Sequence, residues 1–136
     1  MSLEATARSF YDACETGKGW DGCKEYCADG ATFSAQADAL ADITTVEGYS
    51  DWMKGLLVPI PDGHYEIKSF HVDDAAGVAL VYALFKGTHT VDGPVPATGM
   101  SVSADYVYSI EFTDGKVSHV TKIWNDVHSL KQLGWA

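Results

Sequence analysis

The sequence predicts an α+β domain spanning residues 1–136, in which three N-terminal helices pack on a strongly curved, mainly antiparallel sheet to form a cone with an internal pocket. Three observations lead there. Apolar residues recur at helical spacing in the first half, four strand-like segments follow one another from His64 onward, and the loops between them are short and rich in Asp, Gly and Pro. Strands joined by loops this short pair as antiparallel neighbours.

Leu3, Ala7, Phe10, Tyr11 and Cys14 share one helical stripe, with Ser2 as its cap and Gly17-Lys18-Gly19 as its stop. A second, shorter helix is expected over 20–27, with Asp21 as cap and Asp29-Gly30 ending it. Residues 31–34 suit a short strand, and 35–45 read as an irregular loop. The third helix is expected over 47–57, where Tyr49, Trp52, Met53, Leu56 and Leu57 form an apolar side before Pro59 and Pro61. Strands follow over 64–72, 78–91, 100–113 and 116–125, and a short C-terminal helix starts near Val127.

The last hairpin is the most informative. Val102, Ala104, Tyr106, Tyr108, Ile110 and Phe112 alternate with more polar residues and so name the buried face of their strand. A three-residue Thr113-Asp114-Gly115 loop would pair residues of equal parity and place Ser118, Val120, Lys122, Trp124 and Asp126 on that same face. A two-residue Asp-Gly loop would turn the second strand over. On the first reading a lysine and an aspartate sit among tyrosines and a tryptophan.

Composition narrows the function classes. A net charge of −10 without lysine and arginine clusters argues against nucleic acid as a partner. No apolar run reaches the length of a membrane span, and no signal peptide is read at the start. Three cysteines make no disulfide framework, so the cytoplasm is the expected location.

Several local patterns carry a family resemblance: Gly87-Thr88-His89 late in a strand, Ala97-Thr98-Gly99 after a Pro-containing loop, Asp114-Gly115-Lys116-Val117, and Leu130-Lys131-Gln132-Leu133-Gly134. With the helix-then-meander order, these resemble the SnoaL-like polyketide cyclase family. That family falls in the cone-shaped superfamily that also holds ketosteroid isomerase, scytalone dehydratase and nuclear transport factor two. The resemblance implies a pocket at the wide end of the cone and dimerisation through the outer face of the sheet. In the cyclase pattern the acid/base aspartate lies seven residues after the turn glycine and its histidine partner seven before it. Lys122 and Tyr108 stand there in this chain. The isomerase pattern would put a base near Ala35, where no carboxylate occurs until Asp38.

The candidate catalytic residues are therefore Lys122, Asp126, Tyr108 and His89. Lys122, if desolvated, would be a general base or a Schiff-base former; otherwise it pairs with Asp126, Asp105 or Glu111, or reaches solvent. Asp126 is an acid/base group, a helix cap, or both. Tyr106 and Tyr108 would donate to a carbonyl or enolate oxygen, or fill the core. His89 is a proton relay or a structural or exposed side chain. Trp124, Trp52, Phe33 and Tyr82, together with Tyr106, are expected to line the cavity.

Cys23 and Cys27, and the scattered His64, His71, His119 and His128, make no zinc spacing, and no phosphate loop occurs, so neither a metal nor another cofactor is expected. The leading expectation is binding of a small hydrophobic, carbonyl-bearing molecule with cofactor-free isomerase, cyclase or lyase chemistry. The alternative is a noncatalytic binding or dimerisation module. Ser103, Ser109, His119, Thr121 and Asn125 around Val107, Val117 and Ile123 mark the outer face for a homodimer.

Overall fold

A computed structural model describes residues 2–136. Helix α1 (Leu3–Glu15) is capped by the Ser2 side chain, which accepts from the Ala5 N–H, and it buries Ala7, Phe10, Tyr11, Cys14 and Glu15. Helix α2 is shorter than expected, Gly19–Cys23, and a 3₁₀ turn over Lys24–Tyr26 replaces its second half. Lys18 rather than Asp21 holds the cap position, without a side-chain hydrogen bond. Cys14 and Cys23 meet in the α1–α2 contact with sulfurs 3.4 Å apart, both as free thiols. Helix α3 (Val46–Leu56) is capped by Thr45, which accepts from the Gly48 N–H.

Five strands form one sheet: β1 (Cys27–Gln36), β2 (His64–Asp73), β3 (Val78–Thr88), β4 (Ser101–Thr113) and β5 (Lys116–Trp124). The order is β1-β5-β4-β3-β2, so the meander is antiparallel as expected and the sheet remains open. Strand β1 extends well beyond the short segment read from the sequence, because it zips in parallel onto β5. Helix α4 (Asp126–Leu133) ends on Gly134 at φ 74°, a left-handed position that suits glycine. No helix among the described residues is long and apolar enough to cross a membrane.

The β4–β5 turn differs from the expected one, and the reason matters. Thr113 pairs with Lys116 across a two-residue turn in which Asp114 (φ 51°) and Gly115 (φ 76°) are both left-handed. That turn alone would invert β5. A bulge reverses the inversion: Phe112 pairs with Val117 while Glu111 pairs with His119, leaving Ser118 as the extra residue with its hydroxyl donating to the Glu111 carbonyl. From His119 onward the parity is even, so Val120 and Lys122 face inward beside Tyr106, Tyr108 and Ile110. Val117 is therefore buried at the base of the hairpin and does not join the outer face.

Candidate functional site

Lys122 stands directly opposite Tyr108 on the inner face, with Tyr106 diagonal to it and Trp124 two residues along its own strand. From the other side α3 lowers Tyr49 and Trp52, three residues apart on one helical face. Five rings consequently surround the ammonium. Its nitrogen lies 4.8 Å from the ring centre of Trp124, 5.1 Å from Tyr49, 5.2 Å from Tyr106, 5.6 Å from Trp52 and 5.9 Å from Tyr108. Trp124 is held in place by its indole N–H, which donates to Ser129 Oγ at 2.8 Å.

The hydrogen bonds in this cluster join phenols. Lys122 Nζ donates to the Tyr49 hydroxyl at 2.9 Å, and that hydroxyl is bonded to the hydroxyl of Tyr108. Tyr11 and Tyr106 share a second bond at 2.5 Å. Glu15, the last residue of α1, enters the same region: it is 1 % exposed, and its Oε1 has no hydrogen-bond partner. None of the four ion pairs among the described residues includes Glu15 or Lys122.

Burial raises the Glu15 carboxyl above its ordinary range, opposed by the Lys122 ammonium and then by the Tyr108 and Tyr106 hydroxyls. Burial also lowers the Lys122 amine to about 8, with Glu15 as the chief opposing influence. The Tyr106 and Tyr108 hydroxyls are pushed up, first by burial and then by the Glu15 charge, so both remain protonated donors.

A cavity of about 60 Å³ opens between these groups and α4. Its lining combines the polar groups of Glu15, Lys122 and Tyr106 with the apolar surfaces of Trp52, Trp124, Leu56, Phe85, Leu133 and Trp135. This space holds about four to six water molecules, roughly the heavy atoms of one small ring.

The other expected residues lie elsewhere. Tyr108 is fully buried outside the cavity lining, although its ring is one of the five around the Lys122 nitrogen and its hydroxyl is hydrogen-bonded to that of Tyr49. Phe33 is one layer further back, stacked on Tyr49 with ring centres 4.4 Å apart. Tyr82 stands on the outer face, where its hydroxyl donates to Asp105, so it lines no part of the cavity. Asp126 is neither the cap of α4 nor a cavity group. Asn125 caps the helix by accepting from the His128 N–H, while the Asp126 carboxylate accepts from the Ala39 N–H at 2.8 Å and fastens the loop after β1.

His89 is fully buried outside the cavity lining. Its Nδ1 accepts from the Trp135 indole N–H at 2.9 Å and the Thr98 N–H at 3.2 Å, which leaves its proton on Nε2. The ring ties the β3–β4 loop to the C-terminal segment.

Glu15 is the site residue missing from the sequence reading, although a signal was present. It falls four residues after Tyr11 and eight after Ala7, on the buried stripe of α1, where a carboxylate is out of place. In the sequence Tyr11 and Tyr49 belong to the apolar stripes of their helices; in the fold their hydroxyls pair with those of Tyr106 and Tyr108.

A family model described as SnoaL-like polyketide cyclase matches residues 5–133. No curated protein matches the chain. Among solved structures, AclR from Streptomyces galilaeus, described as a candidate hydroxylase, is 21% identical with a TM-score of 0.78, over 98% of this chain and 85% of its own. IdmH from Streptomyces antibioticus, described as a candidate polyketide cyclase, is 20% identical with a TM-score of 0.77, over 98% of this chain and 99% of its own. A protein of ketosteroid isomerase-like fold from Catenulispora acidiphila, in complex with trimethylamine, is 14% identical with a TM-score of 0.71, over 96% of this chain and 93% of its own. At these identities the structural likeness establishes the fold.

Proposed function

Because the chain belongs to the SnoaL-like polyketide cyclase family, we propose that it binds a small hydrophobic carbonyl compound in the cone and moves a proton on it without a cofactor. The observation that carries this reading is the Glu15 carboxyl, buried with an unpartnered oxygen and sharing the cavity wall with Lys122. Burial raises this carboxyl above its ordinary range, the direction that suits a group exchanging protons with a bound carbonyl compound.

In the cyclase pattern the acid/base carboxylate is on the strand after the Asp-Gly-Lys turn; here the carboxyl comes from α1, and the strand position holds Lys122. Glu15 would take a proton from the carbon next to the carbonyl, the electron pair moving onto the oxygen. Lys122 would act at that carbonyl, and the Tyr106 hydroxyl is available to donate to its oxygen.

Cyclohexanone, with one ring, suits a cavity of this size. Deuterium exchange at its α carbons, followed by NMR in heavy water, is expected to exceed the buffer rate, and Glu15→Gln is expected to reduce the catalysed rate by about 10²–10⁴-fold. Exchange at the buffer rate, or an unchanged rate in the variant, would sink the proposal. A second reading, noncatalytic binding, draws on the extent to which aromatic rings already fill the cone; cyclohexanone binding without exchange would favour it.

A further inference from the structure

We infer that Lys122 acts on the carbonyl covalently, forming an imine with a small ketone or aldehyde held between it and Glu15. This rests on the preceding proposal and specifies what the lysine does within it. Four features of the site support the inference. Lys122 lines the cavity and is only 5 % exposed, so the lumen of the cone is its route to a small molecule. It is held by one hydrogen bond, donated to Tyr49, and by ring faces; no carboxylate approaches within ion-pair distance to fix it as an ammonium. The Tyr49 hydroxyl accepts that N–H and keeps its own hydrogen available for Tyr108, an arrangement that points the amine hydrogen at the phenol and leaves the lone pair directed elsewhere. The apolar surroundings favour the neutral amine, the nucleophilic form, consistent with its lowered pKa.

The steps balance with the groups present. The neutral amine attacks the carbonyl carbon, a C–N bond forms, and the C=O electron pair moves to oxygen. That oxygen takes up one proton as nitrogen releases one, giving a neutral carbinolamine. Glu15 in its protonated form donates to the carbinolamine hydroxyl, which leaves as water while the nitrogen lone pair closes the C=N bond. The products are an iminium and a Glu15 carboxylate, opposite charges that offset one another in the cavity. The carboxylate can then remove the α proton to give the enamine, returning Glu15 to its acid form. No oxidant, reductant or metal enters these steps.

The experiment treats the whole chain with cyclohexanone and sodium cyanoborohydride, then maps the modified peptides by mass spectrometry. A reduced cyclohexyl adduct is expected on Lys122 ahead of every exposed lysine, with labelling increasing as pH is raised through about 8. Lys122→Arg retains a cation but cannot form the adduct, and is expected to lose both labelling and α exchange. Adducts confined to exposed lysines such as Lys24 or Lys68 would overturn the inference, as would α exchange that survives in Lys122→Arg. In either case exchange that still depends on Glu15 would leave the acid/base proposal standing. Wild-type protein that neither labels at Lys122 nor exchanges would remove both.

Discussion

Lys122 and Lys68 present the same side chain to the same kinds of partner on opposite faces of one sheet, and their titrations shift in opposite directions. Lys68 occupies a bulge in β2, donates to the Tyr82 hydroxyl at 3.3 Å, lies 5.1 Å from that ring and is 3.7 Å from Asp105. Lys122 donates to the Tyr49 hydroxyl at 2.9 Å and lies 5.1 Å from that ring, with Glu15 lining the same cavity. The outer lysine is raised, first by its bond to Tyr82 and further by Asp105; the inner one is lowered by burial. A phenol and a carboxylate near a lysine therefore do not by themselves make a reactive group. Removal of water does, because desolvation penalises the ammonium while the partners remain of similar kind.

Replacing each lysine by methionine tests this contrast most strongly. In the folded chain Lys122 titrates at about 8 against 10.5 for an ordinary lysine. Between those values the folded state binds fewer protons than the unfolded one, so this group's contribution to stability rises with pH, and below about 8 its penalty is complete. That penalty is about 3 kcal/mol. After subtracting about 1 kcal/mol for the lost bond to Tyr49, Lys122→Met is expected to be about 2 kcal/mol more stable than wild type at pH 7. The gain should disappear as pH approaches 10. Lys68→Met should leave denaturation midpoints unchanged throughout. Urea unfolding of both variants across this range measures the difference, and equal behaviour would erase the contrast.

A smaller effect is expected from Tyr49→Phe, which removes the acceptor for Lys122 and the partner of the Tyr108 hydroxyl without opening a large cavity. Stability should fall by about 1–2 kcal/mol, and the pH at which Lys122 labels should drop below that of the wild type. Unchanged labelling with lowered stability would reduce Tyr49 to a packing role.

The outer face supplies the smallest effect on folding. Ile123 is 52% exposed there and Leu80 is 48% exposed. A second copy of the chain docked on this face would cover them. Sedimentation is expected to give the mass of two chains for wild type and one for Ile123→Lys, with each chain's stability changed by no more than about 0.5 kcal/mol. A wild-type mass of one chain would count against the dimer.

The sequence leaves the orientation of Lys122 open between two turns, and the two-residue turn that forms would by itself face it outward. Strand alternation identifies a buried face, but the hairpin's register depends on the sum of turn and bulge. The Asp114-Gly115 turn and the extra residue Ser118 cancel in parity. The length of β1 was hidden for a related reason. Most of its residues, Thr32 and Phe33 aside, are weak strand formers, and it is the parallel pairing with β5 that extends them.

Among the site residues, Lys122, Tyr106, Trp52 and Trp124 line the cavity, whereas Asp126, His89 and Tyr82 are engaged by Ala39, Trp135 and Asp105. Those partners are distant in sequence, and no local pattern announces them.

The sequence by itself determined the α+β class, the meander and the presence of an unusual lysine in its last strand, because hydrophobic periodicity is a local property that the chain carries whatever it packs against. Only the tertiary structure decided that Glu15, from the first helix, and Lys122, from the last strand, share one cavity, and that the tyrosines pair through their hydroxyls. Desolvation and the distances between side chains from opposite ends of the chain exist only once the helices have closed over the sheet, and these set the chemistry of the site.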